Sequence, residues 1–271
     1  MTAPSKLTAD SEGRIHGPNV IWNDPWPCVN GNPGGMSVPH GVQGLVMHTM
    51  VGNLPGTVEV FNTSSFQASA HFGVDQSGAI HQFGGVRGWM AWAQMAGNPG
   101  WYSCELADNG NPDNPLTQAQ ITSAAQLLEC LSAPSVGNFP LQVTDSTSGE
   151  GLGVHFMGGQ GWGGHTCPDL PPNHVRSAQR GHVAALAISI RQGGTVTPPV
   201  VRQWVTAGMS SLSQLAAQEK TTPAVILALT AGHSAGGTYP AELASYLGGV
   251  FGGTIDPSKP MPRDLVLYLP A

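Results

Sequence analysis

Residues 161–169, GWGGHTCPD, set His165 two positions before Cys167 and a proline directly after that cysteine. A cysteine with imidazoles in the same chain suits two chemistries, nucleophilic attack by sulfur and metal binding. Hydrolytic zinc sites use three protein ligands and keep a fourth position for water or substrate. Two histidines plus Cys167 would complete such a set. His48 closes the apolar run GLVMH and His155 closes GLGVH. Both read as strand ends, where α/β folds expose functional side chains. Spacing by itself does not separate a ligand histidine from one satisfied in the core or at the surface. For the nucleophile reading, Pro168 removes a backbone N–H that cysteine peptidases often aim at the oxyanion, which argues against it.

These residues need elements to hold them. GVQGLVMHT (41–49) reads as a short buried strand, SAHFGV (69–74) and AIHQF (79–83) as two strands joined by the turn DQSG, and WYSCELA (101–107) as another strand. LTQAQITSAAQLLECL (116–131) reads as a helix with a threonine N-cap and with Ile121, Ala124, Leu127, Leu128 and Leu131 on one face. PLQVT (140–144) is expected to be a further strand and HVRSAQRGHVAALAISI (174–190) a closing helix. Strands followed by helices of this length imply an α/β fold, a mixed central sheet flanked by helices. Residues 1–40, rich in Gly, Pro, Asn and Trp, read as an irregular segment packed onto this domain through Trp22 and Trp26. GGTVTPPVV (193–201) has linker composition, so the expected domains are 41–192 and 202–271.

Composition excludes several classes. Of 271 residues only 10% are charged and the net charge is -6, so no basic field exists to hold a nucleic-acid backbone or an anionic membrane. Apolar runs such as VAALAISI are too short to cross a bilayer. The N-terminal stretch lacks the apolar core of a secretory signal, so the expectation is a soluble, cytoplasmic monomer. Four cysteines are too few for a disulfide framework in a chain of this length. Cys104 and Cys130 read as buried free thiols, His71 as a residue packed near the site, and His81 as a surface residue.

Taken together, GLVMHT, SAHFGVDQSGAIHQF, WYSCELADNG, the 116–131 helix and GVH…GHTCP resemble the zinc-dependent N-acetylmuramoyl-L-alanine amidases of the phage-lysozyme and peptidoglycan-recognition type, over about residues 40–190. The resemblance implies Zn2+ held by His48, His155 and Cys167, with peptidoglycan as substrate. The gap of twelve residues from His155 to Cys167 is longer than the family's usual one, the excess falling in MGGQGWGG. That leaves His165 as a rival ligand, but it stands only two residues from Cys167, and such a pair converges on one ion only in particular extended geometries. The family places at its position a residue that contacts the substrate carbonyl oxygen, so His165 is expected to steady the oxyanion. The tyrosine that some members use as base is replaced by Ala70. Glu105, in the strand where other members carry a glutamate, is the expected base.

WVTAGMSSLSQLAAQEKTTPAVILALT (204–230) with MPRDLVLYLP (261–270) resembles a LysM module, a small α+β glycan-binding domain, although the intervening insert is long. An amidase paired with a wall-binding module resembles a phage endolysin, held in the host cytoplasm until it reaches the wall. A bacterial autolysin and a non-catalytic peptidoglycan-binding protein are the alternatives, and the retained Cys167 argues against the latter.

Overall fold

The structure is a computed structural model that describes residues 6–36, 41–169 and 175–193, and the backbone of 201–205 and 266–270. The chain divides into two compact units, Met1–Val196 and Thr197–Ala271.

In the first unit, β1 (Thr8–Ala9) and β2 (Ile15–His16) form a small antiparallel ribbon. Then come β3 (Val20–Trp22), β4 (Gly44–Thr49), α1 (Leu54–Phe61), β5 (Phe72–Val74), β6 (Ile80–Gln82), β7 (Trp101–Leu106), α2 (Gln118–Leu131), β8 (Gly151–Val154), α3 (Val175–Ala178) and α4 (Arg180–Arg191). The sheet has six strands in the order β3-β6-β5-β7-β4-β8. Only β5 and β6 are antiparallel, joined by the turn after Val74; every other neighbouring pair is parallel. The mixed sheet flanked by helices is the expected fold class.

Side chains alternate across a strand, and the two faces diverge accordingly. Leu45 and Met47 of β4, Tyr102, Cys104 and Leu106 of β7, and Leu152 and Val154 of β8 join the main core. The residues between them, Val46 and His48, Ser103 and Glu105, point the other way. Helix α2 covers the apolar face because its sequence encodes both its start and its stripe. Thr117 accepts from the Gln120 backbone N–H while the Gln120 side chain accepts from Thr117 N–H, a complete capping box. Leu127, Leu128 and Leu131 then reach zero exposure between sheet and α4. Each such leucine contributes about 1.5–3 kcal/mol by leaving water.

Five expectations need correction. PLQVT forms a single bridge, Val143 to Leu152, instead of a strand; Pro140 has no N–H to give a ladder and Val143 is 37% exposed. The N-terminal segment is more regular than its composition implies, since β3 adds a parallel edge strand against β6. Trp22 does not pack inward: it stays 39% exposed, with the Arg14 guanidinium 4.6 Å above its ring. His81 is half-buried, stacked on Phe83 at 4.9 Å, instead of lying on the surface. The closing helix is broken, α3 ending at Ala178 and α4 starting at Arg180, and its expected first residue, His174, lies outside the described residues. Helix α1 was not foreseen. Asn53 caps it by accepting from Gly56 N–H and Pro55 sits in its first turn, but Gly56 and the β-branched Thr57, Val58 and Val60 mask the helical signal.

In the second unit, β9 (Val201–Val205) and β10 (Val266–Pro270) pair antiparallel. The segment between them, which holds the expected helices of the LysM-like module, lies outside the described residues.

Candidate metal centre

Strand register brings the first pair together. In the parallel β4–β7 ladder His48 stands opposite Glu105, on the face away from α2. His48 Nδ1 lies 3.9 Å from Glu105 Oε1. Strand β8 flanks β4 on its other side, and His155, one residue past Val154, turns toward the same face. Cys167 returns to this point because its loop is tied at both ends. Phe156 N–H donates to the Cys167 carbonyl at 3.2 Å, and two residues on, the Asp169 carboxylate accepts from the backbone of Arg176 at 2.6 Å and of Ser177 at 3.1 Å.

Among the described residues, the ligand atoms of His48, His155 and Cys167 all lie within 4.8 Å of one another. Cys167 Sγ is 3.1 Å from His155 Nδ1 and 3.5 Å from His48 Nδ1. A tetrahedral zinc site with ordinary bond lengths has ligand–ligand edges of about 3.5 Å. The donor set fits zinc in kind as well, two imidazoles and one thiol.

Proton placement supports the fit. Gln94 Nε2 donates to the Trp101 carbonyl at 3.2 Å, which turns Gln94 Oε1 toward His48 Nε2 at 3.0 Å. That oxygen only accepts, so His48 carries its proton on Nε2. The Trp162 carbonyl likewise only accepts, and takes the Nε2 proton of His155 at 2.8 Å. Both Nδ1 lone pairs are therefore bare and face Cys167. Burial, followed by repulsion from His155, holds His48 well below the usual imidazole range. Burial also lowers His155, with the Trp162 hydrogen bond opposing. Both rings are neutral near pH 7, the state a ligand requires. Burial raises the Cys167 thiol, and nearby Glu105 adds to this; a dication at the site inverts that preference.

Glu105 is 16% exposed at its side chain, and its Oε2 has no hydrogen-bond partner. Burial pushes its carboxyl up to about 8, with Arg176 opposing the shift and Asp108 adding to it. A cavity of about 370 Å3 opens beside Glu105 and runs along α1 past Thr49, Asn53, Thr57 and Phe61. His165 is exposed, its ring 4.8 Å from that of His155. It is not one of the three converging ligands. His71 lies in the core, bonded to Ser103 and the Trp89 carbonyl. Cys104 and Cys130 are buried free thiols, as expected.

Sequence reading missed the groups that hold this site. Arg176, with no exposure, donates to Thr49 Oγ1, to the carbonyls of Leu106 and Ala107, and to that of Asn114, clamping the ends of β4 and β7. The Asp108 carboxylate accepts from the Thr49 hydroxyl at 2.6 Å and from Gly52 N–H at 2.7 Å. No motif announces a buried arginine or a backbone carbonyl acceptor.

Residues 38–169 match the Amidase_2 family, described as N-acetylmuramoyl-L-alanine amidase. That stretch contains His48, Glu105, His155, His165 and Cys167. No curated protein matches the chain. Among solved structures, the hydrolase AmiA of Staphylococcus aureus, in complex with its ligand, is 15% identical with a TM-score of 0.48, covering 72% of this chain and 99% of its own. The N-acetylmuramoyl-L-alanine amidase LysC from Clostridium intestinale URNW is 16% identical with a TM-score of 0.40, over 56% of this chain and 90% of its own. The PlyG catalytic domain is 18% identical with a TM-score of 0.40, over 67% and 99%.

Proposed function

We propose that the first unit is a zinc hydrolase that cleaves the amide between the lactyl group of N-acetylmuramic acid and L-alanine in peptidoglycan. The observation that carries this reading is the convergence of His48, His155 and Cys167 on one face of the sheet, with Glu105 in register beside His48. When bound, zinc lowers the pKa of a coordinated water to roughly 7 and polarises a carbonyl. The chain supplies the rest. Glu105 takes the proton of the attacking water and returns it to the leaving amine, a contribution of about 100- to 10,000-fold. Its burial keeps it from being a permanent anion and suits it to shuttle a proton near neutrality. His165, exposed beside His155, donates a hydrogen bond to the developing oxyanion. The cavity along α1 offers room for the peptide side of the scissile bond.

The test is hydrolysis of purified peptidoglycan. Release of new L-alanine amino termini, lost on chelation and restored by about one zinc per chain, is expected. Metal-replete protein that releases none overturns the reading in favour of binding alone.

For the second unit we propose wall binding by a LysM-like module, supported by its resemblance over 204–230 and 261–270. The pairing of hydrolase and binding unit suits an endolysin released to the wall from the host cytoplasm. A fluorescent fusion of 202–271 is expected to sediment with cell walls, and failure to do so overturns this part.

A further inference from the structure

The two acceptors that fix the ligand histidines sit on one packed unit. Gln94 immediately precedes the short 3-10 turn Met95–Gly97, and Trp162 ends the 3-10 segment His155–Trp162. The Trp162 indole, 4% exposed, meets Trp101 edge-on at 5.9 Å, and the two rings cluster with Val46 beneath the ligands. Trp101 also provides the carbonyl that orients Gln94. Asn98 Oδ1 accepts from the backbone of Ala93 at 3.0 Å and of Gln94 at 2.6 Å, pinning the turn. Two glycines make room for the indole. A Cβ on Gly97 would stand 2.5 Å from Trp162 Cε2 and 2.8 Å from Gln94 Cγ, and one on Gly158 would collide with the same indole at Cγ.

We propose that this tryptophan pair is a single brace for both ligand histidines. Gln94 and Trp162 are positioning residues, and Gly97 tunes metal affinity by letting indole and amide pack together. The inference rests on the metal-centre reading above. A ligand imidazole that loses its outer acceptor is free to turn or to change tautomer, and such losses typically weaken metal binding about 10- to 100-fold. Because one packing unit holds both acceptors, damage at Gln94 and at Gly97 is coupled instead of additive.

The test measures zinc affinity of the full chain by competition with a chromophoric chelator, and the visible absorption of the Co2+-loaded protein. The variants are Gln94→Leu, Gly97→Ala and their double, each checked for cooperative unfolding. Both single variants are expected to bind zinc about 10- to 100-fold more weakly with an altered Co2+ spectrum, and the double to lose less than the product of the two. Trp162→Phe, which keeps a ring and the backbone carbonyl, is expected to show the same weakening and replaces Gly97→Ala if that variant does not fold. Variants that lose thermal stability but keep wild-type affinity and spectrum overturn the brace alone. A wild-type chain that binds no zinc overturns the metal-centre reading, and the brace with it.

Discussion

The two faces of the β4–β7–β8 sheet are made from the same strands and differ in almost every physical respect. On one, Leu45, Met47, Tyr102, Leu106 and Val154 meet α2 and α4 in a dry apolar core. On the other, His48, Glu105 and His155 are nearly as buried but polar, and depend on Gln94, the Trp162 carbonyl and Cys167 for partners. The first face gains stability from every side chain it hides. The second holds a carboxyl with one oxygen unpartnered, which costs stability unless a ligand compensates. Alternation along three short strands thus separates the part of the molecule that folds it from the part proposed to react.

The sharpest way to break this comparison is to truncate one residue on each face. His48→Ala, His155→Ala or Cys167→Ala is expected to abolish hydrolysis and bound zinc while the metal-free chain still unfolds cooperatively. Leu127→Ala is expected to cost about 2–5 kcal/mol and yet leave the zinc affinity of the folded fraction unchanged. Metal analysis paired with denaturant unfolding reads both, and a Leu127→Ala protein that folds but binds no zinc would show that the faces are not independent.

A smaller change separates holding from reacting within the polar face. Glu105→Gln is nearly isosteric and is expected to keep zinc while turnover falls about 100-fold or more. His165→Ala is also expected to keep zinc, with a loss of about tenfold or more. Single-turnover rates on a soluble muramoyl peptide decide both. Loss of zinc from His165→Ala together with its retention in His155→Ala would exchange the roles of these two histidines.

The smallest expected effect is on stability. With the Glu105 carboxyl raised from 4.5 to about 8 in the folded chain, the folded state holds a proton that the unfolded state has lost between those values. Stability of the metal-free protein therefore falls as pH rises through that window. Glu105→Gln is expected to remove this slope, narrowing the difference in melting temperature between pH 5 and pH 8 by up to about ten degrees. Identical slopes in the two proteins would mean that Glu105 titrates normally.

The sequence by itself determined what is local. Apolar runs ending in His48 and His155, the capped stripe of 116–131, and the turn between β5 and β6 are patterns of neighbouring residues, and they yielded the strands, the main helix and the candidate ligands. It did not reveal α1, whose Asn53 cap was outweighed by poor helix formers, or the edge strand β3, hidden in a segment of turn residues. Only the tertiary structure decided which histidines meet Cys167, because that depends on strand order and register across the sheet, with His48 and Cys167 119 positions apart. It also decided the tautomers. A backbone carbonyl has no residue type, and Gln94 and Arg176 look like ordinary polar residues until folding buries them against the ends of β4 and β7 and leaves each with a definite set of partners.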